Sequence, residues 1–148
     1  SGSYSNYAII LSGVSPVSDN VGLRARMSTS STTSDGGNNY RYISATSQDS
    51  GSTNTYQGQG DVFIKVVGDN MGNASGESLE ATIFIGNPAW TEHSTRLNIL
   101  SAHTDDAGRA TTNNCCGVYN PTTAVTAINF LMTSGNINYG IFKVFGIS

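Results

Sequence analysis

Charged residues are scarce in this sequence. Asp, Glu, Lys and Arg make up 11% of the 148 residues, and the formal net charge is −3. Proteins that bind DNA or RNA neutralise phosphates with clustered Lys and Arg, and anionic lipid likewise attracts basic clusters. No such cluster is present here, so the sequence predicts neither a nucleic-acid partner nor electrostatic binding to a membrane surface.

Long hydrophobic runs and cysteines are also scarce. No apolar run approaches the roughly 20 residues that a membrane-spanning helix needs, which predicts a soluble protein without membrane insertion. The two cysteines, Cys115 and Cys116, are adjacent. Because neighbouring side chains on a strand point to opposite faces, we expect two free thiols that pack as small hydrophobic groups, not a disulfide.

Uncharged Ser, Thr, Asn and Gly residues take the place of charged residues in this sequence. Ser and Asn in particular favour turns over helix interiors, so this composition is typical of an all-β protein. A chain of 148 residues suits one domain, which buries about 68–70% of the surface of its unfolded chain. There is no initiator Met, and we interpret Ser1-Gly2-Ser3 as the start of a piece of a longer polypeptide.

Apolar and polar residues alternate with period two along most of the chain. Residues 21–27 alternate apolar side chains with Arg24 and Arg26, a pattern that predicts a half-buried antiparallel strand whose arginines face water. Eight further segments have strand character: 6–14, 40–46, 61–67, 79–85, 96–101, 123–132, 139–145 and, more weakly, 109–119. We therefore predict eight or nine strands.

Turn residues separate these segments, for example Asn87-Pro88 and Asn120-Pro121. Short strands at this spacing predict an antiparallel β-sandwich of jelly-roll-like form. The polar stretch 47–60 is expected to be a loop, because it has no apolar surface to bury. The alternating run that leads to Gly146-Ile147-Ser148 predicts a last strand that neighbouring strands pair with and cover.

One segment resembles a known family. Residues 119–147, YNPTTAVTAINFLMTSGNINYGIFKVFGI, are similar to the C-terminal signature of a β-rich domain of tailed-bacteriophage virion proteins. An alternating strand, a Ser-Gly-Asn-Ile turn and an aromatic-Gly-Ile ending recur in that signature. The segments SGSYSNYAIILSGVSPVSDNVGLRARMSTS and MGNASGESLEATIFIGNPAW resemble the opening and the middle of the same domain. The chain departs from the signature at Asn129, where the family commonly has Arg.

The resemblance implies a virion protein. The domain would form the distal or C-terminal part of a tail fibre, tailspike appendage or surface knob on the exterior or tail of the particle, next to other virion proteins. Fibre domains commonly trimerise and so bury strand faces and sheet edges. We therefore expect a homo-oligomer, with a trimer favoured, in which Arg24 and Arg26 form either a solvated surface or an inter-subunit row of ion pairs.

The sequence indicates no catalytic or metal chemistry. There is no Gly-x-Ser-x-Gly nucleophile elbow. Glycoside hydrolysis needs two carboxylates beside a cleft. We interpret Glu80 as a solvated strand charge, and Asp105-Asp106 as turn residues in preference to calcium ligands, because the loop lacks the ligand count of a known calcium motif. The acids and histidines considered are Glu77, Glu80, Glu92, Asp105, Asp106, His93 and His103. The two histidines lack a third ligand at metal spacing and are expected in exposed loops, so we predict no enzyme, no metal and no cofactor.

Aromatic residues beside amides suggest carbohydrate binding. A sugar ring stacks on an aromatic side chain while its hydroxyls form hydrogen bonds with groups such as Asn and Arg. The candidate ligand-binding residues are Trp90, Tyr40, Tyr42, Tyr56, Asn38 and Asn39. The alternative for Trp90 and Tyr40 is packing in the core or at a subunit interface.

These observations predict a non-catalytic phage appendage domain that attaches to a host cell-surface glycan. A purely structural capsid decoration or knob is the main alternative, and it would bind no ligand. A depolymerase fragment would need paired carboxylates in a groove, and a free-standing secreted carbohydrate-binding module would be monomeric.

Overall fold

A computed structural model describes residues 4–30 and 33–148 of the chain. These ranges contain ten strands and no helix, and therefore no helix that could cross a membrane. The strands are β1 (Asn6–Pro16), β2 (Leu23–Ser28), β3 (Tyr40–Gln48), β4 (Thr53–Asp61), β5 (Ile64–Lys65), β6 (Leu79–Gly86), β7 (Thr95–Thr104), β8 (Ala110–Tyr119), β9 (Ala127–Met132) and β10 (Ile137–Ile147).

The strands form two antiparallel sheets. The larger sheet has seven strands in the order β10-β1-β6-β7-β8-β3-β4, and the smaller has three in the order β5-β2-β9. The predicted antiparallel β-sandwich is thus confirmed. The weakest of the predicted strands, residues 109–119, becomes β8 and lies inside the larger sheet, between β7 and β3.

Alternating side chains of the two sheets form the core. In the larger sheet Ile83, Ile99 and Cys115 lie in register across β6, β7 and β8, and all three are buried. In the smaller sheet Leu23 and Met27 of β2 are buried as well. Each such apolar side chain contributes about 1.5–3 kcal/mol on burial, so period-two patterning supplies most of the driving force for this fold.

The expectation that residues 47–60 form a loop is wrong for most of that stretch. Residues 53–61 are the edge strand β4, which pairs with β3 from Tyr40 to Ser47. An edge strand needs a partner for its backbone but no buried face, because its side chains can remain in water. The polar composition is therefore compatible with a strand, and β4 brings the total to ten.

The prediction that both arginines of β2 face water is also wrong. Arg24 is buried: its guanidinium pairs with the carboxylate of Asp69 and lies 4.5 Å from the ring centroid of Phe63. Arg26 is half-buried and donates from Nε to the carbonyl of Val62 at 2.9 Å. The segment that follows β4 covers this face of β2, which a local alternation pattern cannot reveal.

Two predicted strands are shorter than expected. In residues 61–67 the expected strand is interrupted: Asp61 ends β4, and only Ile64–Lys65 forms a further strand. Strand β9 begins at Ala127, where a strand was expected from residue 123. The Thr126 N–H donates to the carbonyl of Ser28 at the end of β2 at 2.8 Å, and the Val125 N–H donates to the carbonyl of Pro88 at 2.7 Å. This contact ties β9 to the loop between β6 and β7.

The adjacent cysteines face opposite sides of β8. Both are free thiols, but Cys115 is buried and Cys116 is exposed. The expectation of two packed thiols is therefore right for Cys115 only. Burial raises the pKa of the Cys115 thiol to about 12, which leaves almost none of the reactive thiolate at neutral pH.

We expect the native protein to react with a maleimide at one thiol per chain. The second thiol should react only after unfolding, because Cys115 is both inaccessible and protonated. Mass spectrometry after timed labelling measures this directly. Cys116→Ser should abolish labelling of the native protein and Cys115→Ser should preserve it; rapid labelling of both thiols in the native protein would contradict the burial of Cys115.

Candidate functional site

Trp90 lies in the loop between β6 and β7, at one end of the larger sheet. Its side chain is 52% exposed, and its ring centroid is 5.4 Å from that of His93. The loop begins at Asn87, whose φ of 41° is in the left-handed region that Asn adopts more readily than most residues. The Trp90 N–H closes the turn by donating to the Asn87 carbonyl at 3.1 Å.

Neighbouring segments anchor this loop on both sides of Trp90. On one side Pro88 accepts the hydrogen bond from Val125. On the other, the Ser94 hydroxyl donates to the carbonyl of Asn120 at 2.9 Å. A loop held at both ends presents Trp90 in one position. This preorganisation lowers the entropic cost of binding a ligand.

An open cavity of about 190 Å³ lies beside Trp90, and we call it the Trp90 pocket. It is lined by Gly86, Asn87, Trp90, His93, Ser94 and Arg96. The lining combines aromatic rings with an amide, a hydroxyl and a guanidinium, which are the groups that bind the apolar face and the hydroxyls of a sugar ring.

Arg96 is available to a ligand in the Trp90 pocket. The one hydrogen bond of its side chain within the described ranges is long, 3.4 Å from Nη1 to the carbonyl of Ser94. The described ion pairs involve Arg24, Lys65 and Arg109, and none involves Arg96. An unpaired guanidinium has several free N–H donors, so hydroxyl or carboxylate oxygens could bind here without displacing a protein partner.

Trp90 also lines a second hollow of about 260 Å³, together with Ala89, Thr91 and Glu92. Glu92 is the one carboxylate among the residues that line the two hollows. Acid-base hydrolysis of a glycoside requires two carboxyl groups across the bond. The two hollows, as described, thus hold one carboxylate where this reaction uses two.

Tyr40 and Tyr42, predicted as stacking platforms, belong to the core. Both lie on the inward face of β3, with Arg41 between them on the exposed face. The Tyr40 ring packs 5.1 Å from the ring of Tyr119, and Tyr42 stacks on Phe63. Core packing, which the sequence left open for Tyr40, is the arrangement that the structure shows, so neither ring reaches the Trp90 pocket.

The three other predicted binding residues are Tyr56, which lies on β4, and Asn38 and Asn39, which lie in the loop before β3. Tyr56 is half-buried on β4, where Lys65 Nζ lies 4.3 Å from its ring centroid, and it does not line the Trp90 pocket. Asn38 is exposed, and the carbonyl of Asn39 accepts a hydrogen bond from Asn120 at 2.8 Å. Because Asn120 also accepts from Ser94, the structure brings the Asn38-Asn39 loop to the same end of the sheet as Trp90.

His103 is not in an exposed loop, in contrast to His93. It lies on the inward face of β7, and its Nε2 is 3.2 Å from the side-chain oxygen of Asn70. Burial lowers the pKa of His103 to about 4. Within the described part of the chain, no group of three His, Cys, Asp or Glu side chains is placed to hold a metal ion.

Asp105 has the turn role that the sequence favoured. Its carboxylate accepts from the backbone N–H groups of Ala107 at 3.0 Å and Arg109 at 2.8 Å, and from the Arg109 guanidinium. Burial by itself would raise the pKa of Asp105, but these hydrogen bonds hold it below its usual value. The carboxylate closes the turn between β7 and β8 and also accepts from Gln48 Nε2 of β3 at 2.9 Å.

Of the residues that line the Trp90 pocket, sequence reasoning named only Trp90 as a binding residue and missed the other five, among them Asn87 and Arg96. Asn87 was interpreted as a turn residue and Arg96 as the first residue of a strand. A signal was present: Asn87, Trp90, His93 and Arg96 are spaced by three residues. In a tight loop between two strands such a set can converge on one hollow, but only the loop conformation establishes that it does.

Comparison of the chain with protein-family models, with curated proteins and with solved structures found no match. The likeness to phage virion proteins therefore stays a prediction from the sequence.

Proposed function

We propose that this domain is a non-catalytic carbohydrate-binding module of a phage virion appendage, which attaches the particle to glycans of the host surface through the Trp90 pocket. The observation that carries the binding part of this proposal is the half-exposed Trp90 ring, held on an anchored loop beside Asn87, His93 and the unpaired Arg96. The virion context comes from the resemblance of residues 119–147.

The composition of the pocket is a stronger argument than the exposure of Trp90. Single exposed apolar side chains are common on protein surfaces. Here, however, the ring shares a hollow with an amide, a hydroxyl and a guanidinium. A small apolar ligand would leave these polar groups without partners, whereas a sugar ring can satisfy them and stack on Trp90.

A pocket of this size and openness binds one sugar ring with low affinity. Attachment would gain strength from several copies on one particle, because linked sites raise the effective concentration without new contacts. This is the mode of action expected of a repeated appendage domain, and it requires no covalent chemistry.

Trp90→Ala is expected to weaken binding to a glycan ligand by at least tenfold, about 1.4 kcal/mol, because it removes the stacking surface. The ligand is first identified by applying the wild-type domain to an array of bacterial surface polysaccharides. Affinities for the oligosaccharide so found are then compared by calorimetry.

Leu100→Ala is the matched control for this experiment. Leu100 is 58% exposed, close to the value for Trp90, but lies on the outer face of β7 away from the pocket. We expect it to bind as the wild type does. Wild-type affinity in Trp90→Ala, or a wild-type domain that binds no glycan on the array, would refute the proposal.

A purely structural role in the virion is the second candidate. It is favoured by the large apolar side chains that β10 exposes along one edge of the sandwich. Such a surface serves assembly and does not require a ligand.

A further inference from the structure

One edge of the larger sheet is apolar. Strand β10 pairs with β1 alone and leaves its other side open. Along 11 residues it carries a single charge, Lys143. Six of its large apolar side chains are 38–63% exposed: Tyr139, Ile141, Phe142, Val144, Phe145 and Ile147. We call this strand and these side chains the β10 edge.

The opposite edge of the same sheet is different. Strand β4 has the sequence TNTYQGQGD, and its one large ring, Tyr56, is half-buried under Lys65. Its pairing with β3 is also interrupted by a register shift between Tyr40 and Arg41. Polar side chains and irregular pairing are the usual means by which proteins prevent unwanted edge pairing. The β10 edge also carries one charge, and its pairing with β1 is also irregular between Ser12 and Pro16, but its side chains are mostly large and apolar, so the two edges of this sheet differ in polarity.

The β10 edge is apolar on both faces. Phe142 and Val144 pair with Leu11 and Ile9 of β1, whose side chains point into the sandwich. Phe142 also packs 5.5 Å from the ring of Phe130 on β9. On the outer face, Phe145 pairs with Ala8.

The sandwich is also open beside this edge. An apolar cavity of about 390 Å³ lies there, with Tyr7, Ile85, Ile128 and Val144 in its lining. A partner strand at the β10 edge would therefore gain apolar contacts on both sides of the sheet.

We propose that the β10 edge pairs antiparallel with the β10 edge of a second copy of this chain, so that the two larger sheets become one continuous sheet across a two-fold axis. A second copy is the occupant that best matches the surface, because it brings a strand of the same length with apolar side chains on both faces. In such an isologous contact each copy satisfies the free backbone groups of the other.

The exposed area is sufficient for a specific dimer. A large side chain has an area of about 150–250 Å², so exposures of 38–63% over six side chains leave roughly 600 Å² per copy. Two copies can thus bury at most about 1,200 Å² from these side chains, which reaches the lower end of the range for specific interfaces. The backbone hydrogen bonds of the new strand pair add to this.

Charge selects among the registers. An axis at Lys143 would place two ammonium groups directly opposite each other, which is destabilising. An axis at Phe142 places Lys143 opposite Ile141 of the second copy and Tyr139 opposite Phe145, so that apolar groups meet and the charges stay apart. Because Phe142 is also the middle residue of Ile137–Ile147, an axis there pairs the two strands over their full length, and we infer the register centred on Phe142.

The test is the mass of the protein in solution, measured by analytical ultracentrifugation over a range of concentrations. We expect the wild type to be a dimer and Val144→Glu to be a monomer with unchanged circular dichroism, because the glutamate would enter the interface but is exposed in a single copy. Leu100→Glu is the matched control: Leu100 is similarly exposed on the same sheet, away from the edge, and this variant should remain a dimer.

A cysteine at the axis tests the register. In a Cys116→Ser background, Phe142→Cys should give a disulfide-linked dimer on mild oxidation, whereas Leu100→Cys should give at least tenfold less. A monomeric or trimeric wild type, a dimeric Val144→Glu, or a dimer that Phe142→Cys does not cross-link would overturn the proposal.

These outcomes are separable from those for the Trp90 pocket. Monomeric Val144→Glu should retain the wild-type affinity for a single oligosaccharide in solution, because no residue of the β10 edge lines that pocket. Its binding to a polysaccharide-coated surface should fall, since two linked sites become one.

Discussion

Tyr40→Ala is expected to lower the free energy of unfolding by about 3–5 kcal/mol, the usual cost of truncating a large buried aromatic residue. The Tyr40 ring is fully buried and packs on Tyr119. Its hydroxyl accepts from the Met27 N–H at 2.9 Å and donates to the Asp35 carbonyl at 2.7 Å. Burial raises the pKa of Tyr40 to about 12, so the hydroxyl keeps the proton that it donates.

Two further variants distinguish the contribution of the Tyr40 ring to stability from that of its hydroxyl and from the effect of truncating an exposed ring. Tyr40→Phe keeps the ring but leaves the Met27 N–H without its acceptor, which costs about 1–3 kcal/mol for a buried donor. Trp90→Ala, at a half-exposed loop position, should change stability by less than about 1 kcal/mol. Urea unfolding followed by circular dichroism gives all three values. Wild-type stability in Tyr40→Ala would show that the ring is not part of the core.

Stability is expected to fall by about 3 kcal/mol as the pH is lowered from 7 to 4, because of His103. Burial lowers the pKa of His103 from 6.5 to about 4, and each unit corresponds to about 1.4 kcal/mol. At a pH between these two pKa values, His103 binds a proton in the unfolded chain but not in the folded protein. Acid therefore favours the unfolded state across this window, and the stabilisation by neutral His103 is lost as the pH falls.

His103→Gln should remove most of this dependence above pH 4, because Gln does not titrate but can still donate to Asn70. His93→Gln, at the exposed histidine, should leave the dependence as in the wild type. Asp35 and Asp105 have lowered pKa values, so their stabilising effect is present above about pH 4 and is lost only below it. Urea midpoints measured at several pH values test this prediction; a His103→Gln variant with the wild-type pH slope would contradict it.

The two proposed surfaces use different parts of the sandwich. The Trp90 pocket lies in the loop after β6, and the β10 edge lies along the side of the sheet. Dimerisation through β10 would leave both Trp90 pockets accessible, so that each dimer would present two of them. The structural and the adhesive role are therefore compatible within one domain.

Much of the fold could be predicted from local pattern. The alternation in residues 79–85 and 96–101 predicted two strands that the structure confirms with small extensions, because one side chain in two must be apolar when one face of a strand is buried. The same rule placed Tyr40 and Tyr42 together on one face of β3. It also placed Cys115 and Cys116 on opposite faces of β8.

The candidate site could be predicted only in part. Trp90 was expected in a loop because it follows Asn87-Pro88, and its exposure agrees with that expectation. Arg96 was not recognised, since its role depends on a strand beginning directly beneath the loop. A pocket is a property of several backbone segments at once, and no single stretch of sequence specifies it.

By itself the sequence determined the all-β class and which alternate residues of each strand share a face, because pleating is a local property of an extended backbone. Only the tertiary structure decided which of those faces is covered. Arg24 is buried because a later segment crosses over it. Residues 53–61 form a strand because β3 provides a pairing partner. Strand β10 is exposed because no other strand of the described chain pairs with its open side. Burial and pairing depend on residues distant in sequence, and local alternation carries no information about them.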